Sequence, residues 1–347
     1  MAHGGISVAV VEALESRLLF SAAFPALSAS PPPRGAPVAE VHAAQRHTSQ
    51  IARAAKRAVR LQAAQARRLA RQEARAERKS ERARSTSATP AVPAVAAAQP
   101  VLPEPASSDP SFQYQAFSND ALFAPGGPSE NDIIQGDIGD CYFLATLSAV
   151  ARTDPQLIRD SIAQLSNGDF EVTFHRNGQT VNEIVDDELP VTSTGNLAYA
   201  QLGQDSSMWV AIMEKAYCAF RPGANDSYTG IAAGWMDDAF EALGALPSDV
   251  AGAPSAGALL AEIQSDLTAG QAVTIGIAQA EDGAPLVGNH VYTVDSVNTS
   301  SPGGPTLTIR NPWGYSGAGS DPTGSADVTI TAQQAANSMS GIVSAIV

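Results

Sequence analysis

Apolar residues concentrate after residue 140 of this chain, where they follow helical and extended patterns in turn. The run from Tyr142 to Val150 is almost wholly apolar and is long enough for one buried helix. Segments 207–220 and 235–243 also predict helices, and alternating residues around 170–190 predict strands. Four more strands are predicted, at 272–279, 290–298, 305–310 and 326–330. The pattern therefore predicts an α+β fold, with a helix-rich part before a strand-rich part.

The first 111 residues have a different composition. Residues 46–84 contain 13 of the 21 Lys and Arg residues among many Ala and Gln, and they predict a solvated basic helix. Residues 85–111, rich in Pro, Ala and Ser, predict an extended linker. We therefore divide the chain into a targeting-like or disordered segment, a basic helix, a linker and a folded domain with two subdomains. Their ranges are 1–45, 46–84, 85–111 and 112–347, with subdomains at about 112–245 and 246–347.

Charge is divided as sharply as composition. Residues 1–100 carry 15 Lys and Arg against 6 Asp and Glu, whereas residues 101–347 carry 6 against 29. Such asymmetry predicts different partners for the two parts. The basic arm is suited to an anionic surface, an acidic polymer or the acidic domain of its own chain. The alternative is a charged spacer.

The N-terminus gives the evidence on location. The sequence contains no run of 18 apolar residues, so we expect no transmembrane helix. It has no basic start, and Glu12 and Glu15 interrupt its apolar stretch, unlike an ordinary secretory signal. Residues 11–21 resemble the short Leu-Glu-Pro-Arg-x-Leu-Leu segment that begins many planctomycete surface proteins, with Ser16 in place of the proline. That resemblance implies export to the cell envelope; the alternative is the cytoplasm.

Cys141 is the strongest candidate for chemistry. Gly139 permits a tight turn, Asp140 is a good N-cap residue, and Cys141 would then lie in the first turn of an apolar helix. The nucleophilic form of cysteine is the thiolate, which the positive end of a helix favours. We therefore expect the pKa of this thiol to be lowered. Cys218, inside the apolar run 216–220, is expected to be a packed core thiol.

Three other side chains could complete a cysteine hydrolase. His290 begins a predicted strand and can act as a general acid and base, and Asn311 can orient its ring. Gln135 can donate its amide hydrogen to an oxyanion together with the backbone N–H of Cys141. His175 lies where a predicted strand enters an Asn-Gly turn, so we expect it to be an exposed hairpin residue.

Five segments, taken in order, resemble segments of the calpain family of cysteine proteases. They are Gln135–Leu144, Val185–Pro190, Trp209–Tyr217, Gly288–His290 and Arg310–Gly314. The resemblance covers roughly residues 123–347, about two thirds of the chain. It implies a papain-like α+β core of two subdomains, in which a helical half with the cysteine faces a strand-rich half with the histidine and asparagine.

The resemblance also implies roles for individual residues. It assigns Cys141 as nucleophile, His290 as general acid and base, Asn311 as the residue that orients the imidazole, Gln135 to the oxyanion hole and Trp313 as the tryptophan that shields the His–Asn hydrogen bond. Two positions depart from the family pattern, because Tyr142 replaces a tryptophan and Asn289 replaces a lysine or similar residue.

Calcium is implied by the resemblance alone. The sequence requires no cofactor, and it contains no EF-hand loop of the D-x-D-x-D-G type. Cores of the calpain family can also bind calcium directly, but the sequence does not identify any metal ligands. The metal is therefore unknown at this stage.

These observations predict a calcium-dependent type of cysteine endopeptidase that hydrolyses peptide bonds of proteins or peptides through a thioacyl-enzyme. One alternative is a catalytically silent, protease-like scaffold attached through its basic arm. Another is an acyltransferase that uses the same Cys-His-Asn site, because water and an amine can each accept the acyl group.

Overall fold

The computed structural model of the protein describes residues 102–251, 255–317 and 324–347. The planctomycete-like segment, the basic helix and the linker up to residue 101 lie outside the described residues. Among the residues described, none of the helices combines the length and apolar character needed to span a membrane.

The fold is mixed α+β, as predicted. In chain order the α-helices of the described residues are α1 Cys141–Thr153, α2 Pro155–Ser161, α3 Trp209–Phe220, α4 Tyr228–Ile231, α5 Met236–Ala242, α6 Ala256–Thr268 and α7 Ala332–Ser338. The strands are β1 Gln113–Ala116, β2 Ile162–Gln164, β3 Phe170–Arg176, β4 Gln179–Val185, β5 Glu188–Val191, β6 Leu246–Ala251, β7 Ala272–Ile277, β8 His290–Asn298, β9 Thr306–Arg310, β10 Asp327–Thr331 and β11 Met339–Ile346. The predicted helices α1, α3 and α5 and the predicted strands β7 to β10 are confirmed.

Antiparallel pairing organises the strands into three sheets. The largest has six strands in the order β10-β9-β8-β7-β11-β6, and each neighbouring pair in it is antiparallel. Strands β2, β3 and β4 form a second sheet, and β1 pairs with β5. The large sheet brings the start of β8 and the end of β9, which are far apart in sequence, to one region.

Helix α1 packs against the large sheet. Ten of its residues are buried, from Tyr142 to Ala151, and seven of them belong to a hydrophobic core with residues of α3 and α5. On the sheet side, the Thr293 hydroxyl in β8 donates a hydrogen bond of 2.8 Å to the Ala145 carbonyl oxygen. A second hydrophobic core lies between α6 and the strands of the large sheet. The first residue of α1 is therefore fixed relative to β8.

Residues 102–111, expected to be linker, contact the folded residues that follow them. Ala106 donates a backbone hydrogen bond to Asp226 and accepts one from Tyr228. Lys215 in α3 is 1% exposed and lies 2.6 Å from both a Glu104 carboxylate oxygen and an Asp186 carboxylate oxygen. A buried ammonium therefore holds this segment against α3.

Lys215→Met should lower the free energy of unfolding by about 3 kcal/mol, because it leaves two partly buried carboxylates without their cation. Urea denaturation should show a lower midpoint with an unchanged slope. Arg152→Met is the matched control, since Arg152 pairs with Glu130 at 3.2 Å but is 36% exposed. That exposed pair should contribute less than about 1 kcal/mol. Equal losses in the two variants would contradict the structural role of Lys215.

Candidate active site

A cleft of about 570 Å³ lies at the N-terminus of α1. One wall is formed by the loop 135–139 and Cys141, and the other by residues that border β8 and follow β9. The second wall consists of Asn289, His290, Trp313 and Tyr315. Four of the five residues singled out from the sequence thus line one cleft, and the fifth, Asn311, is bonded to His290.

Cys141 is the first residue of α1, and Asp140 occupies the N-cap position as predicted. The Asp140 side chain, however, makes no capping hydrogen bond to the helix and is fully buried. The turn before it is held by the backbone N–H of Ala233, which donates to the Gly139 carbonyl oxygen at 2.8 Å. The helix therefore begins at the nucleophile candidate, while the aspartate points to other partners.

His290 is held by the sheet. It pairs with Ile277 of β7 in the ladder, and its side chain is buried. The residue before it, Asn289, has a positive φ of 51° and donates a backbone hydrogen bond to the Ala278 carbonyl oxygen. Asparagine tolerates this left-handed conformation better than most residues. This turn fixes where β8 begins and hence where the imidazole lies.

Asn311 determines the tautomer of His290. Its Oδ1 lies 2.8 Å from His290 Nε2 and also accepts the backbone N–H of Trp313 at 3.0 Å. Its Nδ2 donates to the Ser316 carbonyl oxygen at 2.9 Å, so the orientation of the amide is set by its partners. Because an amide oxygen faces Nε2, that nitrogen carries the hydrogen, and Nδ1 is left to accept a proton.

Trp313 lies beside the imidazole. Its ring centroid is 4.7 Å from that of His290, with 45° between the ring planes. Gly317 packs against both Trp313 and Asn311. A Cβ at this position would lie 2.4 Å from the Trp313 ring and 2.9 Å from Asn311 Nδ2. The indole therefore packs beside the imidazole, and its role in shielding the His290–Asn311 hydrogen bond stays a prediction.

Gln135 lines the cleft, but both hydrogens of its side-chain amide have partners. Nε2 donates to the Ile138 carbonyl oxygen at 2.6 Å and to Asp140 Oδ1 at 3.2 Å. Its Oε1 is buried and has no donor among the described residues. The Gln135 backbone N–H donates to the Pro312 carbonyl oxygen at 2.8 Å, which ties the two walls of the cleft together. An oxyanion role would require the amide to turn toward the cleft.

Burial opposes the ionised form of both reactive groups. It raises the pKa of Cys141 to about 11, while a hydrogen bond from the Val291 backbone lowers it and the Asp140 charge raises it further. Burial also lowers the pKa of His290, against the effect of its bond to Asn311. The expectation of a lowered thiol pKa is therefore contradicted, because burial, the largest cause, raises it. A neutral thiol and a neutral imidazole are the resting forms.

Within the described residues, the other histidine and the other cysteine do not line the cleft. Cys218 is fully buried in α3 and its Sγ contacts the Glu214 carbonyl oxygen at 3.5 Å, so the prediction of a core thiol is confirmed. His175 lies in β3 opposite Thr180 of β4 and is half-buried rather than fully exposed.

Sequence reasoning missed the partner of the buried Asp140 side chain. Asp140 and Glu214 are hydrogen-bonded to each other, and both are fully buried. In the sequence, Asp140 lies in the segment 135–144 and Glu214 in the segment 209–217. Neither segment indicates that the two side chains are in contact.

The described residues do not form the kind of acidic cluster that would hold calcium. No group of three or more His, Cys, Asp or Glu side chains in residues 102–251, 255–317 and 324–347 is arranged to ligate a metal. The buried carboxylate of Asp132 accepts N–H groups from Trp209, Gln204 and Ser129, so protein donors already satisfy it.

Comparisons with known proteins point to one family. A family model described as calpain family cysteine protease matches residues 112–335. Human calpain-8 is 30% identical over 218 residues, which are 57% of this chain and 30% of that protein. The chicken calpain-2 catalytic subunit is 30% identical over 210 residues, 55% of this chain and 29% of its own length. The matched part thus corresponds to less than a third of these relatives.

Cys141 in the resting protein should react with iodoacetamide at least about tenfold more slowly than an ordinary cysteine at about pH 7.5, because a raised pKa reduces the thiolate fraction. Mass spectrometry of the labelled peptide gives the rate at this residue. The same protein unfolded in urea is the control and should react at the ordinary rate. If the folded protein reacted as fast as the unfolded chain or faster, burial would not raise the pKa of the Cys141 thiol.

Proposed function

Because this chain belongs to the calpain family of cysteine proteases, we propose that it is a cysteine endopeptidase with Cys141 as its nucleophile. The observation that carries the proposal is the 2.8 Å contact between His290 Nε2 and Asn311 Oδ1, beside a cleft that Cys141 also lines. A thiol, a ring with a defined tautomer and an orienting amide are the groups needed for acyl transfer.

The proposed reaction has two stages. In the first, His290 Nδ1 takes the thiol proton as Cys141 Sγ attacks the peptide carbonyl carbon, and the tetrahedral adduct then expels the amine, which receives that proton from His290. In the second, His290 removes a proton from water as the water oxygen attacks the thioester carbon; the C–S bond then breaks, Cys141 Sγ regains that proton from His290, and the carboxylic acid is released. Asn311 keeps the ring oriented through both stages. The resting thiol is neutral, so proton transfer accompanies attack.

The oxyanion of each tetrahedral intermediate needs donors. We propose the backbone N–H of Cys141, at the open end of α1, and the Nε2 of Gln135 as these donors. For this role, Gln135 Nε2 must leave its two acceptors, the Ile138 carbonyl oxygen and Asp140. The present position of the amide also leaves its buried Oε1 without a donor among the described residues, which favours such a turn. The substrate oxyanion would then accept the Nε2 hydrogen bond in place of the Ile138 carbonyl oxygen and Asp140.

We propose the papain-like arrangement of two subdomains for this domain. It is supported by the two hydrophobic cores, one around α1 and α3 and the other between α6 and the large sheet. The reactive groups come from both, since Cys141 begins α1 and His290 begins β8. Peptide substrates would then lie across the boundary between the cores.

The basic arm has a proposed partner in the same chain. Residues 101–347 carry 29 Asp and Glu against 6 Lys and Arg, and the first 100 residues have the opposite excess. Charges of opposite sign on two parts of one chain attract at low ionic strength. We propose that the arm binds the acidic domain or, in competition with it, an anionic surface or polymer.

Cys141→Ala should reduce hydrolysis of a labelled, unfolded protein substrate by at least about 10³-fold and leave thermal unfolding nearly unchanged. Cys218→Ala is the matched control, because it removes the other thiol and should retain activity. Full activity in Cys141→Ala would refute the nucleophile assignment. An inactive wild-type protein would favour the silent scaffold, and transfer of the acyl group to an added amine without release of acid would favour an acyltransferase.

Calcium removal tests the metal dependence separately. We propose the calcium dependence that membership of the calpain family suggests, and we expect hydrolysis to fall at least about tenfold in excess EGTA and to return when calcium is added. Magnesium in place of calcium serves as the ionic-strength control. Hydrolysis that is unchanged in EGTA would contradict a calcium requirement in this chain.

A further inference from the structure

Two buried carboxyl groups that contact each other lie at the start of the helix that carries the candidate nucleophile. Asp140 immediately precedes Cys141, and Glu214 comes from the middle of α3, which packs in the same core. Both side chains are at most 1% exposed, and they are hydrogen-bonded to each other. Two buried acids in contact are costly unless charge is removed, so this pair needs a physical explanation.

The pair is also hydrogen-bonded to two neighbouring loops, one of which lines the cleft. Glu214 accepts the Ala200 backbone N–H with both carboxylate oxygens, at 3.0 Å and 3.3 Å. Asp140 Oδ1 accepts Gln135 Nε2 at 3.2 Å. The pair therefore connects α3 with the proposed oxyanion donor and with the turn that carries Cys141.

If both acids were ionised, this network would lack one hydrogen-bond donor. Asp140 Oδ2 would then be a buried acceptor with no donor among the described residues. A hydrogen bond between two carboxyl groups requires that one of them be protonated. A single proton between Asp140 and Glu214 supplies the missing donor and removes one of the two buried charges.

We propose that Asp140 and Glu214 share one proton and act as positioning residues, which hold Gln135 and keep one negative charge rather than two near Cys141. The proposal rests on the proposed role of Cys141 as nucleophile. A second charge would oppose formation of the thiolate and would hold the Gln135 amide more strongly away from the cleft.

Electrostatics supports this arrangement. Burial is the largest cause that raises the pKa of both acids, and each is hydrogen-bonded to the other. The titratable side chains that face the pair from the surrounding helices are Cys141, Tyr142, Tyr217, Cys218 and Tyr228, and burial raises the pKa of each. The nearest lysine in sequence, Lys215, contacts Glu104 and Asp186 instead. Proton loss from the pair therefore adds charge beside neutral groups.

The variant Glu214→Gln distinguishes a proton shared with Asp140 from a role of Glu214 in packing alone. The new amide can donate permanently to Asp140 Oδ2 and can still accept the Ala200 N–H, so it imitates protonated Glu214 at every pH. Glu214→Leu keeps similar volume but offers neither bond. Asp266→Asn is the matched control, because Asp266 is a buried acid of α6 that belongs to the other core region.

The readout is the rate at which iodoacetamide modifies Cys141 in the full chain, measured against pH without any substrate. At about pH 7.5, above the pKa of about 7 to which burial raises Asp140, the wild type and Glu214→Gln should react equally, because each has one charge in the pair. At about pH 9 Glu214→Gln should react about tenfold faster, because only the wild type has gained a second charge. Asp266→Asn should follow the wild type throughout.

Three results would overturn the proposal: identical profiles for the wild type and Glu214→Gln, a rate difference that does not change with pH, or a slower Glu214→Gln at high pH. On protein substrates, Glu214→Gln should keep kcat within about threefold, whereas Glu214→Leu should lose more than about tenfold with little change in KM. The alkylation profile needs no turnover, so failure of the proposed protease function leaves it interpretable.

Discussion

The hydrogen bond between His290 and Asn311 depends on strand register, and the geometry of the cleft depends on that bond. β8 pairs with β9 from Thr293 opposite Arg310, and Asn311 is the next residue along the chain. A slip of one residue would move every side chain to the opposite face of the strand, so the imidazole and the amide would separate. Arg310 adds to the constraint through Asp327 at 2.9 Å and the Glu130 carbonyl oxygen at 3.1 Å. The register of a buried sheet thus sets the tautomer of the proposed base.

Burial serves the fold and opposes the chemistry. The same apolar contacts that fix α1 against β8 remove water from Cys141 and His290, and this favours the neutral form of each. A helix N-terminus offers the thiolate only partial compensation. In the proposed mechanism, catalysis depends on groups that stabilise charge as it forms, so the orientation of Gln135 and the charge of Asp140 would affect the rate as well as the position of the thiol.

The local pattern of apolar and polar residues was sufficient to predict much of the secondary structure and to identify the candidate site residues. The run after Cys141 is apolar on every face, and α1 is indeed buried all round, while β7 to β10 carry the β-branched residues that predicted them. Strand β11 was not predicted, because it lies between β7 and β6 in the middle of the sheet and its buried, small residues lack clear alternation. Helix α6 was also missed, although Leu259, Leu260 and Ile263 have helical spacing. Its first turn, rich in Ala and Gly, gives a weak helix signal.

The contact between Asp140 and Glu214 could not be predicted in the same way, because it joins residues 74 positions apart through tertiary packing. Sequence placed both acids in helical segments, where a charged side chain is ordinarily assumed to face water. Only the packing of α1 on α3 removes that water from both at once. An acid pair buried in this way gains a hydrogen bond only by keeping a proton, and keeping it also lowers the charge beside the thiol. Stability of the core and reactivity of Cys141 therefore favour the same protonation state, so the pair can remain buried without opposing the chemistry proposed for the cleft.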